Sequence, residues 1–271
     1  MADSIATDFE SVQKAFSKQA AHFDEDDSAN PILVEWRKQV YTHVNNFLKP
    51  NSSILELNSG TGIDAVYFCS RGNKVHATDY SSGMIQKIQD KIKNSKINDL
   101  SCQQCSFESL EKISGKKFDY VFSNFGGLNC SSDLSRVTKQ LPALLNKGAF
   151  VTWVIMPPIC PWEILRIFKG KRNAFRRFMK GGTTSHLEGE YFQTYYFSLS
   201  SIKNAFGKNF RFIKTEAIGV TAPPPSAVDF VKRNSKLSAI LNELDRLLRN
   251  TFPFNRWGDH IIVTFQYQKV D

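Results

Sequence analysis

No run of this 271-residue chain approaches the ~18 apolar residues that a membrane-spanning helix needs. The longest apolar run, Ala149 to Met156, stops at Pro157-Pro158. The opening Met-Ala-Asp-Ser is acidic and polar, so no secretory signal is visible. Cysteine is sparse. Five residues, an odd number and scattered, do not form a disulfide framework and point to a reducing, cytoplasmic setting. Cys102 and Cys105 have metal-pair spacing, but no second pair exists and no histidine lies nearby. They read as two small residues around a core strand, and no metal is expected. Internal repeats and separate nucleic-acid-binding modules are also absent.

Apolar residues make up 41 % of the chain, enough to build a sizeable core in one elaborated domain. The net charge is +9. That charge is compatible with nucleic acid or an anionic membrane as partner and says nothing about fold.

The most informative stretch runs from Ile54 to Met84. Ile54, Leu55 and Leu57 form an apolar strand, which meets a tight glycine turn at Gly60-Thr61-Gly62. A helix follows to about Arg71-Gly72, and a second strand from Lys74 ends on Asp79. The pattern suits nucleotide binding. Glycines let the backbone approach a ligand, and the helix start offers free N–H groups. A carboxylate at the second strand tip can accept bonds from both ribose hydroxyls. Gly60-x-Gly62-x-x-Ala65 also fits a loose dinucleotide fingerprint. Glu56 argues against a pyrophosphate, which it would repel, and suits the cationic methionyl end of S-adenosylmethionine. Tyr80 to Met84 is a capped helix start that carries Met84 toward the adenine side. A later strand, Phe118 to Asn124, runs into Phe125-Gly126-Gly127-Leu128-Asn129.

With these residues in place, the chain resembles the class I S-adenosylmethionine-dependent methyltransferases over roughly Phe9 to Met156. The likeness is to the branch that methylates quinones and biotin-pathway carboxyl groups. It implies a Rossmann-like α/β fold with a seven-stranded, mostly parallel sheet, an antiparallel last strand and helices on both faces. The implied cofactor-binding residues are Glu56, Asn58, Ser59, Gly60, Gly62, Asp79, Tyr80, Met84, Ser106, Phe107, Asn124 and Phe125. Two positions depart from the family. Asn58-Ser59 stands where a glycine-like residue is usual. Ser106 stands where an acid often reaches the adenine amino group, which leaves Phe107 to pack on the ring.

The whole chain reads as a single methyltransferase domain. Residues 1–49 hold two amphipathic helices, marked by Phe9, Val12, Phe16, Ala20 and Phe23 and by Leu33, Trp36, Val40, Val44 and Phe47. An acidic link, Asp24 to Pro31, separates them. In the resembled branch such a pair closes over the cofactor, with Phe23 and Trp36 as lid candidates; His22 reads as a solvated helix residue. Residues 50–156 form the cofactor-binding core. Its third, fourth and fifth strands fall at Leu100–Gln104, Tyr120–Ser123 and Ala149–Ile155. A helix over Asp133–Asn146 is bent or restarted by Pro142. The sixth and seventh strands fall at Phe210–Ile218 and Ile261–Gln268. Two cap insertions, 157–198 and 221–258, exceed the core. Both are expected to roof the acceptor site together with the N-terminal helices, through Trp162, Phe168, Phe175, Tyr191, Phe192 and Tyr195. The basic segment Arg166 to Lys180 is expected to turn its charges outward.

Methyl transfer from a sulfonium is an in-line displacement in which the protein mainly aligns the acceptor and excludes water. A hydroxyl acceptor needs a base; carbon and nitrogen acceptors need not. No catalytic dyad is legible by spacing. Candidates are His186, Glu188, Glu190, Tyr191 and Tyr195 in the first insertion, and His260. The resulting expectation is an enzyme acting on a small, partly apolar molecule, with a peripheral membrane contact through the basic segment as an option. The alternatives are an RNA-directed methyltransferase and a non-catalytic cofactor-binding module. Nucleic acid is disfavoured, because Asn124-Phe125-Gly126-Gly127 is not the Asn-Pro-Pro-Tyr type of tetrapeptide that marks methylation of amino groups on bases.

Overall fold

Strand formation follows the apolar, β-branched runs, and successive residues on each strand supply opposite faces of one sheet. The computed structural model describes residues 9–113, 115–165, 172–179 and 181–268. Helices α1 (Phe9–Gln19), α2 (Phe23–Ala29) and α3 (Pro31–Asn45) precede β1 (Ser53–Leu57). The core continues as α4 (Ile63–Ser70), β2 (Lys74–Asp79), α5 (Ser82–Ser95), β3 (Leu100–Gln104) and β4 (Phe118–Ser123). Then come α6 (Ser135–Thr138), α7 (Leu141–Leu144) and β5 (Leu145–Ile155). The first insertion holds α8 (Pro161–Leu165), a 3-10 turn (Arg172–Phe178) and the hairpin β6 (Thr183–Leu187) and β7 (Glu190–Thr194). After α9 (Leu199–Phe206) and β8 (Phe210–Ile218), the second insertion holds α10 (Val228–Arg233) and α11 (Ser235–Leu248); β9 (His260–Tyr267) completes the sheet.

The seven-stranded sheet has the order β3-β2-β1-β4-β5-β9-β8. Strands β1 to β5 pair in parallel, and β9 runs antiparallel between β5 and β8. The chain leaves β1 toward β2 and β3, then returns to β4 on the other side. The crevice between the β1 and β4 tips is therefore the switch point where open α/β sheets bind ligands. Helices cover both faces, so the central strands are apolar on both sides. On one face Leu55, Leu57, Val121 and Trp153 pack with α1, α6 and α9; on the other, Ile54, Phe122 and Val154 pack with α3, α4 and α5.

Four local expectations change. The acidic link is itself helical: Asp24, Glu25 and Asp26 occupy the first turn of α2, where carboxylates favour a helix dipole. The expected helix over 133–146 is two short helices, because Pro142 lies in the first turn of α7 and starts it afresh. The fifth strand begins at Leu145, four residues before Ala149. The single strand-like stretch from Tyr191 is one arm of a hairpin whose other arm starts at Thr183, joined through Glu188-Gly189 in left-handed conformation.

Candidate functional site

The β1, β2 and β4 tips surround one cavity of about 510 Å³. The turn after β1 forms its floor. Gly60 has φ +55° and Gly62 φ +80°, a region that favours glycine. A Cβ on Gly60 would project toward the Phe23 ring 3.8 Å away, whereas one on Gly62 would lie 3.0 Å from Ile88 on α5. Gly60 thus faces the cavity and Gly62 lets α4 pack on α5. Asn58 also has a positive φ, +45°, which asparagine tolerates. Its side chain accepts from Ser123 Oγ at 2.7 Å and donates to the Asn124 carbonyl at 3.2 Å, clamping the β1 tip to the β4 tip. The departure from a glycine-like residue is therefore a structural substitution that keeps the turn.

Asp79 lies beside the turn. Its carboxylate accepts the Gly60 N–H at 2.9 Å and the Ser81 N–H at 2.8 Å. Burial pushes its pKa up to about 6, although those two backbone donors favour the charged form. Ser81 caps α5 by accepting from the Met84 N–H at 3.1 Å. Glu56, on β1, is buried, and its Oε2 has no hydrogen-bond partner. Burial and the neighbouring Asp64 hold its carboxyl well above the usual range.

The N-terminal helices close the cavity. Phe9, Val12, Phe16 and Phe23 line it, and Phe9 packs edge-on against Tyr80 and Phe107 at about 6 Å between ring centres. At Gly83 α1 comes so close that a Cβ would lie 2.7 Å from the Ser17 carbonyl. Asp24 bonds Thr61 in the turn and reaches Lys91 on α5 at 2.6 Å. Arg37 on α3 bonds Asp64 and, at 2.7 Å, Asp27. Asp64 also takes bonds from Tyr41 at 2.6 Å and Asn124 at 2.9 Å. Burial opposes the Arg37 charge, but Asp64 and Asp27 outweigh it and raise its pKa. Sequence reading passed over this network because nothing in local spacing links residues 24 and 27 to residues 61 and 64.

Of the residues expected at the cofactor, Asn58, Ser59, Gly60, Asp79, Tyr80, Met84, Phe107, Asn124 and Phe125 line the cavity. Glu56 and Gly62 lie behind it, and Ser106 turns its hydroxyl to the Glu108 N–H at 3.1 Å. The lid candidates separate: Phe23 lines the cavity, while Trp36 packs against Gly219 and the His260 ring.

The far end of the cavity is formed by Leu33, Met156, Arg176, Ser185, Leu187, Phe192, Thr194, Tyr196 and His260. Residues from the first insertion do roof it, but through the inner face of the hairpin. His186, Glu188, Glu190, Tyr191 and Tyr195 are not among the lining residues. His186 packs at a tilt on exposed Tyr191, 4.5 Å between ring centres, Glu190 pairs with Lys18 at 2.7 Å, and Glu188 lies 3.2 Å from His22. The Tyr195 N–H is spent on the Asn129 carbonyl at 2.7 Å. Hairpin residues alternate between its two sides, which puts His186 and Tyr191 opposite the lining residues; Glu190 shares the side of Leu187 and Phe192 but is taken up by Lys18.

Three further expectations are corrected. No described residue of 221–258 lines the cavity; that insertion packs on α8 through Trp162 and Phe230, 6.0 Å apart. Trp162 donates to the Thr221 carbonyl and Phe175 is exposed, so neither is part of the roof; Phe168 lies outside the described residues. The basic segment does not turn all its charges outward. Arg177 is buried against Glu163 at 2.8 Å and Asp259 at 3.6 Å, and Arg176 pairs with the same Glu163 at 2.7 Å. Buried counter-ions offset the desolvation that an unpaired arginine would suffer.

His260 opens β9 at the site. Its Nδ1 stands 3.0 Å from Asp259 Oδ1. Its Nε2, Met156 Cε and Asn129 Oδ1 converge over Gly126 beyond the β4 tip, each within 3.3 Å of where a Cβ on that glycine would stand.

Residues 54–148 match the model of a family described as a methyltransferase domain. These residues carry a methyltransferase domain, and the sheet has the Rossmann-like methyltransferase fold. Solved methyltransferases share the fold at low identity. The CcbJ methyltransferase of Streptomyces caelestis is 14 % identical, with TM-score 0.61 and coverage of 94 % of this chain and 98 % of that one. A putative S-adenosylmethionine-dependent methyltransferase of Listeria monocytogenes is 15 % identical, with TM-score 0.58 and coverage of 84 % and 96 %. The 1,6-didemethyltoxoflavin-N1-methyltransferase of Burkholderia thailandensis, solved with its substrate and S-adenosylhomocysteine, is 11 % identical, with TM-score 0.58 and coverage of 99 % and 94 %. No curated protein matches the sequence.

The site fits S-adenosylmethionine. The Asp79 carboxylate on the cavity wall suits ribose hydroxyls, Met84 with Phe107 offers an apolar slot for a flat base, and Glu56, whose Oε2 has no partner, puts a buried carboxyl behind that wall. Among the described residues no cluster of His, Cys, Asp or Glu could hold a metal ion, and no helix is long and apolar enough to cross a membrane.

Proposed function

We propose that this methyltransferase acts on a small, partly apolar molecule that enters the far end of the cavity, and that the residues around Gly60 and Asp79 hold the cofactor. The observation that carries this reading is the roof. Helices α1 and α2 and the β6–β7 hairpin enclose a cavity of about 510 Å³, lined at the acceptor end by Leu33, Phe125, Met156, Leu187 and Phe192. A site of that size and character suits a drug-sized molecule with few polar groups. A polymer needs an open, charged groove; here Arg176 and Arg177 are neutralised by Glu163 and Asp259. The free thiols of Cys69, Cys102, Cys105, Cys130 and Cys160 support a reducing, cytoplasmic setting.

When bound, S-adenosylmethionine supplies an electrophilic methyl group on a sulfonium. The protein aligns the acceptor and keeps water out. His260 is the proposed proton acceptor. With Nδ1 held 3.0 Å from the Asp259 carboxylate, Nε2 is the nitrogen placed to take a proton from an acceptor hydroxyl held near Gly126. Arg37, 4.9 Å over the Phe125 ring, fixes the aromatic wall between the two ends.

The test is transfer of labelled methyl groups to a panel of phenols, amines and carboxylic acids bearing an apolar ring or chain, with bulk transfer RNA in parallel. Label should enter a small acceptor, and His260→Gln should lower turnover by about 100-fold while cofactor affinity holds. Label entering RNA alone would overturn the small-molecule reading. Unchanged turnover in His260→Gln would overturn the assigned base.

A further inference from the structure

Helix α11 is turned the wrong way for a cap. Its buried residues are Ser238 and Asp245, whereas Leu237, Ile240, Leu244 and Leu247 are 47 %, 58 %, 43 % and 64 % exposed. The orientation is fastened by specific bonds. Asp245 accepts the Thr221 N–H at 2.9 Å and the Ala222 N–H at 3.2 Å, and Thr221 Oγ1 donates to the Leu241 carbonyl at 2.8 Å. Beyond the helix, the Arg249 carbonyl accepts the Ala217 N–H of β8 at 2.9 Å. Rolling the helix to bury its leucines would break these bonds. The apolar stripe therefore stays in water unless something covers it, and from Leu237 to Leu247 it runs about 15 Å along the helix. Phe252 extends the exposed apolar surface, at 68 % exposure.

The charges around the stripe select the occupant. Lys232, Arg233 and Lys236 are exposed at its N-terminal end, and Arg256 lies over the Phe252 ring at 4.9 Å. Of the acids, Glu243 is paired with Arg246 at 2.8 Å, Asp245 is buried, and Asp229 is exposed. A second copy fits poorly. Antiparallel pairing of two stripes would set Lys232, Arg233 and Lys236 against Arg256, and parallel pairing would set the basic ends against each other. Like charges on both arrangements oppose association. A surface that is apolar below and anionic at its rim satisfies both features.

We propose that α11 is a docking face for an anionic lipid bilayer, with Leu237, Ile240, Leu244, Leu247 and Phe252 entering the acyl boundary and the basic residues meeting lipid headgroups. This goes beyond the proposed methyl transfer and does not depend on it. Arg176 and Arg177 of the first insertion take no part in it, because both are committed to Glu163. No residue of α11 lines the cavity, so disrupting the stripe should leave cofactor binding intact.

The experiment is co-sedimentation of the full chain with phosphatidylcholine vesicles, alone or with one third phosphatidylserine. The wild type should sediment with the anionic vesicles and be released by added salt. Ile240→Asp with Leu244→Asp should weaken that binding by about tenfold or more. Reversing Lys232, Arg233 and Lys236 to Glu should do the same. Both variants should bind S-adenosylhomocysteine as the wild type does, which shows that they fold. Absence of vesicle binding by the wild type would overturn the proposal. So would vesicle binding that survives both sets of substitutions, or a dimer in light scattering that Ile240→Asp with Leu244→Asp dissociates.

Discussion

Asp79 at the tip of β2 holds the backbone N–H of Gly60 at the tip of β1, 2.9 Å away. One carboxylate thereby sets the shape of the turn and remains on the cavity wall. Replacing Asp79 by Ala should weaken S-adenosylmethionine binding tenfold or more, because hydrogen bonds to a charged acceptor are worth about 1.5–3 kcal/mol each. Isothermal calorimetry reads this directly. An unchanged affinity would remove Asp79 from the ribose site.

The raised pKa of Asp79, about 6, gives that binding a pH dependence. Hydrogen bonds from ligand hydroxyls favour the charged carboxylate, so the bound pKa lies below the free one. Affinity should be full above pH 6 and fall as pH drops through it. Near pH 6 binding should release protons, and calorimetry in buffers of different ionisation enthalpy would show the release. Proton uptake would contradict the assignment. Glu56, also raised in pKa, would add to the release if an ammonium pairs with it.

Gly60→Val places a β-branched side chain at φ +55° and into the space below Phe23. Cofactor binding should be lost while the circular dichroism spectrum keeps its helical content. Retained affinity would mean that the turn does not face the cofactor.

Arg37 stands between Asp27 and Asp64 with all three side chains nearly buried. Arg37→Ala leaves two carboxylates without their shared counter-ion. Breaking a buried pair in this way costs about 3–5 kcal/mol. Urea unfolding should show a loss of that size, and protease should cut first near α2, which the network fastens. A change under about 1 kcal/mol would mean that water replaces the arginine.

The fold was legible because its signals are local. Ile54-Leu55 before Gly60, and Val75 to Thr78 before Asp79, carry strand, turn and acid within one stretch of chain, and a parallel sheet buried on both faces leaves continuous apolar runs. Most of the cavity wall followed for the same reason, since the tips of β1, β2 and β4 bring Gly60, Asp79 and Asn124 together in any sheet of this order. What the sequence could not decide was direction. The register of β6 against β7 turned Phe192 and Thr194 inward and Tyr191 outward. Hydrogen bonds to Asp245 turned the leucines of α11 toward water, although its periodicity alone suits core packing equally well. The arginines at 176 and 177 went inward because Glu163 and Asp259 were there to receive them. His260 joined the β4 tip only when β9 inserted between β5 and β8. Each of these depends on partners far apart in the chain. Periodicity fixes which residues share a face; the long-range contacts alone fix which way that face turns.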